Sequence, residues 1–187
     1  MDKLYYSISP DLTNENVSYI DDWEFKYWPN KPEGKIIQNP DGTFSIEMEN
    51  DFIPLVTQLQ NLFKDGKRPE NGTYLGEAVL KGKNEPLDCI YGNYIDKNQG
   101  LVISSKLFSI LEKYKLSKYF IYPLPLIKRK KTFDNYFFIY FENTEVANFD
   151  MQLIHIENSV KICVNETLKA EIENAGIKGC IFTLVNL

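Results

Sequence analysis

Histidine occurs once in this chain, at His155, and cysteine three times, at Cys89, Cys163 and Cys180. So few ligating side chains leave little room for a soft-metal centre. One imidazole needs thiolate or carboxylate partners at ligand spacing, and the residues around Leu153-Ile154-His155-Ile156 supply none. The cysteines form no paired framework, and Cys163 and Cys180 sit in apolar, strand-like stretches that suit small core hydrophobes. No apolar run approaches the roughly 18 to 20 residues of a spanning helix. The opening residues, MDKLYYSISPDL, lack the continuous apolar stretch of an export signal. Together these absences predict a cytoplasmic protein with no membrane association. Glycine-rich segments are also scarce: Asn71-Gly72-Thr73 with Gly76, and Gly82, match neither a phosphate loop nor a dinucleotide fingerprint. No nucleophile elbow is present, and a triad through His155 is left as a formal possibility.

What the chain does have is aromatic bulk and an uneven charge pattern. Twelve tyrosines and twelve phenylalanines among 187 residues favour strands over a helical bundle. The net charge of -5 hides three blocks. Residues 1–60 carry 4 basic and 11 acidic side chains, residues 61–131 carry 14 and 7, and residues 132–187 carry 3 and 8. Such a balance disfavours nucleic acid as the partner of the whole chain. An acidic first third suits a basic protein partner, with a solvated surface as the competing reading.

The strongest organisational signal is an internal echo. Residues 102–124 align with 163–185 at a constant offset of 61, without a gap. Leu107 falls on Leu168, Glu112 on Glu173, Ile103 on Val164, Leu111 on Ile172 and Leu116 on Ile177. Each copy reads as strand, helix, strand. Internal duplication and convergence on a common β-α-β pattern both account for it. Ser104 and Asn165 are the expected N-caps. Ile103, Leu107, Ile110, Leu111 and Tyr114 form one helix face, and Leu168, Ile172 and Ala175 the other. Gly176 suits the left-handed stop.

Elsewhere, Leu4–Ile8 and Trp23–Trp28 read as strands, and Ile36-Ile37 with Thr43–Met48 as a hairpin. Leu55, Leu59, Leu62 and Phe63 mark a helix beginning at Asp51. The stretch from Tyr74 to Tyr94 has no clean period and is assigned one short element. Tyr119–Leu124 and Phe133–Phe141 read as strands, with 126–132 as the tip between them. Within that tip, Lys128-Arg129-Lys130-Lys131 suits a phosphate or acidic contact, or a solvated loop. The expected class is α+β, with a mixed, mainly antiparallel sheet, packed helices and two similar strand-helix-strand units in the C-terminal half. A division into 1–86, strand-rich with one helix, and 87–187 is expected, with one continuous domain as the alternative.

The best candidate contact surface is Asp21-Asp22-Trp23-Glu24 with Tyr27 and Trp28, because tryptophan and tyrosine anchors beside acidic groups recur in hot spots for basic partners. Burial of these aromatics in the core is the competing reading. No carboxylate pair, ligand cluster or nucleophile motif stands out, so no catalytic residue, metal or cofactor is assigned.

The C-terminal half resembles a known family. Gly100-Leu101-Val102-Ile103-Ser104-Ser105-Lys106-Leu107, then Ile110-Leu111-Glu112, Tyr122-Pro123-Leu124, the aromatic run Tyr136-Phe137-Phe138-Ile139-Tyr140 and the closing run Val164–Phe182 are similar to a bacterial immunity-protein family, the eleventh of the numbered series that accompanies polymorphic toxins. The resemblance covers roughly residues 87–187, and Cys180-Ile181 depart from the family's apolar-basic pair. It implies a cytoplasmic protein that binds and neutralises a cognate toxin by stoichiometric contact, without catalytic residues. A small-ligand protein or an enzyme with a cryptic site is the alternative.

Overall fold

A computed structural model describes residues 4–11, 18–25, 34–38, 44–48, 68–90, 100–142, 151–155 and 161–185. The class is α+β, with sheets dominating. In chain order the strands are β1 (Tyr5–Pro10), β2 (Tyr19–Phe25), β3 (Gly34–Gln38), β4 (Phe44–Met48), β5 (Gly76–Lys81), β6 (Cys89–Ile90), β7 (Gly100–Ser104), β8 (Tyr119–Pro123), β9 (Leu126–Lys128), β10 (Lys131–Phe133), β11 (Tyr136–Phe141), β12 (Leu153–His155), β13 (Ile162–Asn165) and β14 (Cys180–Val185). Helix α1 spans Ser105–Leu111 and helix α2 spans Glu166–Asn174.

The echo at offset 61 is structural. Ser104 and Asn165 occupy the same place in their units, and both are extended in backbone. Ser104 Oγ accepts from the Leu107 N–H at 3.2 Å, and Asn165 Oδ1 accepts from the Leu168 N–H at 2.9 Å. Each cap satisfies an amide that the first helical turn leaves without a partner. Leu107, Ile110 and Leu111 on one helix, and Leu168 and Ile172 on the other, are buried as the spacing predicts. Ala175 is a correction. It is exposed at the C-cap, because α2 ends at Asn174 and Gly176, at φ 64°, turns the chain away. Tyr114 lies beyond α1 yet still packs against the core that α1 joins.

The likeness extends beyond the two units to whole sheets. One four-stranded sheet runs β6-β7-β11-β8 and another runs β12-β13-β1-β14. In each, the two strands of a strand-helix-strand unit flank a third strand antiparallel to both. Tyr136 faces Ser104 in the first sheet, and Tyr5 faces Asn165 in the second. Both tyrosines are buried, and each hydroxyl donates to a carbonyl: Tyr136 to Pro86 at 3.3 Å and Tyr5 to Met151 at 2.9 Å. The central strand of the first sheet follows its unit along the chain, whereas the second sheet takes its central strand from residues 5–10.

The sheets turn equivalent faces toward one core. Leu101, Ile103, Ile139 and Phe141 from the first sheet share one cluster with Ile8, Ile162, Val164 and Leu153 from the second, which both helices join through Leu107, Ile110, Leu111, Leu168 and Ile172. The opposite face of the first sheet, through Val102, Tyr122, Tyr136, Phe138 and Tyr140, packs on a third sheet ordered β10-β9-β5-β2. Strands β3 and β4 form the expected hairpin.

Two connections depart from expectation. Residues 74–90 form two strands, β5 and β6, where one short element was predicted. Strands β8 and β11 do pair antiparallel, but 126–133 is no simple tip. It forms its own hairpin, β9–β10, and β9 runs parallel to β5. The predicted helix after Asp51 lies outside the described residues.

The units grip each other at equivalent points. Segment 115–117 of the first holds 152–153 of the second: the Gln152 N–H donates to the Lys115 carbonyl at 2.8 Å, and the Ser117 N–H to the Leu153 carbonyl at 2.9 Å. Segment 177–179 of the second holds 88–89 of the first: the Cys89 N–H donates to the Lys178 carbonyl at 3.2 Å, and the Lys178 N–H to Asp88 Oδ2 at 3.0 Å. Gly179 makes this approach possible. At φ 88° it favours glycine, and a Cβ there would lie 2.5 Å from the Cys89 carbonyl oxygen and 2.8 Å from Leu87 Cβ. Gly176 has a positive φ too, but open space around its Cβ position. Gly176→Ala is therefore expected to cost about 1 kcal/mol, and Gly179→Ala about 3 kcal/mol or more, in urea denaturation. Equal losses would mean that the cross-unit contact at Gly179 does not constrain the fold.

Candidate protein-binding surface

Strand β2 carries the predicted contact residues to a sheet edge, since it is the last strand of the order β10-β9-β5-β2. Ile20 is fully buried in the core beneath. The ladder to β5 then shifts: Ile20 lies opposite Leu80 and Asp22 opposite Val79, so Asp21 is the extra residue of a bulge. Its carboxylate meets Lys81 Nζ at 2.8 Å, and that hydrogen bond and the Asp21 charge raise the lysine pKa. Both groups face solvent, so the pair adds little stability and remains open to exchange with a partner's charge. Trp23 and Glu24 follow in register, opposite Ala78 and Glu77. The structure thus brings Asp21, Asp22, Trp23 and Glu24 onto one edge strand. Tyr27 and Trp28 lie outside the described residues, as do the side chains of residues 22–25.

The basic run lies across the same sheet, about 10 to 14 Å away at ordinary strand spacing. Arg129 adopts φ 58° at the turn between β9 and β10. Lys128 turns inward: its Nζ donates to Ser18 Oγ at 2.6 Å and to the Asn84 carbonyl. Burial, and then the neighbouring Arg129 charge, lower its pKa. Lys131 pairs with Glu85 at 3.0 Å and lies over the Phe133 ring at 4.5 Å. Two of the four cations therefore hold the hairpin down, while Arg129 and Lys130 are exposed.

Other perturbed groups also have structural causes. Burial pushes the Tyr136 hydroxyl up to about 12, aided by the negative charges of Asp88 and Glu85. Burial raises Tyr140 against the opposing charge of Arg68. The Arg68 guanidinium lies over the Phe120 and Tyr140 rings, at 5.2 and 5.3 Å, and pairs with Glu142. Burial pushes the Cys163 thiol up to about 11, which makes it inert as a nucleophile at neutral pH. His155 lies in β12 opposite Ile162. An open cleft of about 220 Å³, bordered by Ser7–Pro10, Gly100-Leu101 and Lys161-Ile162, brings one titratable side chain, Lys161, to its described lining. Among the described residues, no helix is long and apolar enough to cross a membrane.

Sequence reasoning missed a second edge. Strand β14 ends its sheet, and Leu184 within it is 53% exposed. The visible signal is that 179–187, GCIFTLVNL, contains no charge. No protein-family model matches the chain, and no curated protein matches it.

Tyr136 and Cys163 predict how stability depends on pH. Both are acids held protonated in the fold, above ordinary values near 10 and 8.5. The unfolded chain loses these protons first, so their contribution is complete below those values and falls as pH rises toward about 12 and 11. Urea midpoints should hold steady from pH 7 to 8 and decline above about 9. The decline above about pH 10 should be shallower in Tyr136→Phe; an identical slope would remove Tyr136 from this account.

Proposed function

We propose that this protein is a stoichiometric inhibitor, an immunity protein that binds and neutralises a cognate bacterial toxin in the cytoplasm. The observation that carries the reading is the acidic edge strand β2, with its bulge at Asp21, mounted on a core shared by two mutually gripped units. An inhibitor of this kind needs a preorganised surface and no bond-making groups. The perturbed Tyr136, Tyr140, Cys163 and Lys128 are each explained by packing or by anchoring a hairpin, which fits that requirement. The C-terminal resemblance to polymorphic-toxin immunity proteins points the same way.

In this reading a basic toxin approaches β2, and its cations compete with Lys81 for Asp21 while meeting Asp22 and Glu24. Such complementarity acts mainly on capture rate. The protein should co-purify one-to-one with the product of the adjacent upstream gene. The double variant Asp21→Lys, Asp22→Lys should slow association about tenfold at low salt and less than about twofold at 0.5 M salt, by stopped-flow or surface resonance. Failure to capture a toxin from that neighbour would refute the function, whereas capture with unchanged low-salt rates would refute the surface alone.

A further inference from the structure

Comparing the two units exposes a difference at one edge. In the first unit the outer side of β8 is covered by residues 71–72: the Gly72 N–H donates to the Ile121 carbonyl at 2.9 Å, and the Ile121 N–H donates to the Asn71 side-chain Oδ1 at 3.0 Å. Ile121 therefore directs its polar groups away from β11. At offset 61 its equivalent is Phe182, which faces Ile8 of β1 as Ile121 faces Ile139 of β11. Alternate residues of an antiparallel strand bond to opposite sides. Cys180, Phe182 and Leu184 thus direct their N–H and C=O groups outward, and no strand or loop among the described residues bonds to them. Among the described residues, the two most exposed large hydrophobic residues also lie here: Leu184, 53% exposed, and Leu4, 47% exposed, beside the end of β14.

An uncovered, uncharged, apolar edge is an invitation to strand addition. Other edges carry features that discourage it. Strand β2 bears Asp21, Asp22 and Glu24, β10 bears Lys131, and β6 and β12 have two and three residues. Two copies of β2 would meet with like charges opposed, whereas β14 itself carries no charged residue.

We infer that β14 pairs with β14 of a second copy, antiparallel about a two-fold axis through Phe182. In that register Phe182 faces its own mate and Leu184 faces Cys180 of the other copy. Each of the three residues both donates and accepts, so every outward group finds a partner, and two four-stranded sheets become one continuous sheet. The contact is isologous and closed, as a two-fold demands. One strand edge buries less than the roughly 1,200 Å² of a standard stable interface, so association should depend on concentration.

This inference is independent of the toxin reading. Sedimentation equilibrium from roughly 5 to 500 µM brackets weak association. The wild-type mass should rise from 21.8 kDa toward twice that value. Leu184→Pro removes an outward N–H without touching the ladder to β1, and Leu184→Lys places a charge on the edge while leaving the backbone intact. Both variants should remain at the monomer mass with unchanged circular dichroism. In the wild type, the Phe182 and Leu184 amides should exchange more slowly as concentration rises. A monomer throughout the range, a dimer unaffected by Leu184→Lys, or protection of these amides only upon adding toxin would each overturn the proposal.

Discussion

The reciprocal exchange between 115–117 and 152–153, and between 177–179 and 88–89, is the contact on which the rest of this structure depends. Each side offers main-chain groups that would otherwise approach a hydrophobic core without partners, at a cost of about 1 to 3 kcal/mol apiece. Neither helix can hold its unit together by itself: at seven and nine residues both are shorter than an isolated helix needs in water. Their caps and buried leucines become effective because the other unit supplies the opposing wall of the core. Asp88 concentrates this dependence. One carboxylate oxygen accepts from Ser104 Oγ at 2.6 Å, beside the first helix, and the other accepts from Lys178 N–H across the unit boundary.

Closure through β1 completes the arrangement. The second sheet lacks a central strand of its own until residues 5–10 enter between β13 and β14. The sequence order is thus permuted relative to the first sheet, while the hydrogen-bonded order is the same. The units nevertheless differ where surfaces differ. In the first, Phe108 packs against Tyr119 and Phe137, at ring separations of 6.3 and 5.7 Å. At the equivalent position of the second, Lys169 lies over Tyr6 at 5.1 Å and Phe182 at 5.7 Å. One geometry is an aromatic cluster and the other is capped by a cation whose head stays near water. The frame is thus repeated while its outer surfaces differ.

Much of this frame was legible in the sequence. The offset of 61, the caps at Ser104 and Asn165 and the glycine stop at Gly176 are local signals, and they placed both units correctly. The role of β1 was not legible, because pairing between residues more than 150 positions apart leaves no local trace. The two strands within 74–90 were hidden for other reasons: β6 is two buried residues in a sheet covered on both faces, and β5 does alternate, but apolar Val79 on its exposed side breaks the polar-apolar pattern in the sequence. Residues 126–133 misled because their hairpin turns to pair with β5, a tertiary choice with no sequence period. For the candidate surface, the acidic character of residues 21–24 was plain, but their position on an edge strand emerged only from the fold. The open edge at β14 required knowledge of the sheet order.

Native-state hydrogen exchange tests the mutual support of the two units most directly. The amides of Cys89, Ser104 and Lys178 should open with the same free energy as those of Ser117, Gln152 and Asn165, because all six bond within or across the exchange that joins the halves. A common opening energy, shared with the core strands β7 and β13, is the predicted result. Two separated groups, one unit exchanging far faster than the other, would show that the halves fold independently and would contradict the account.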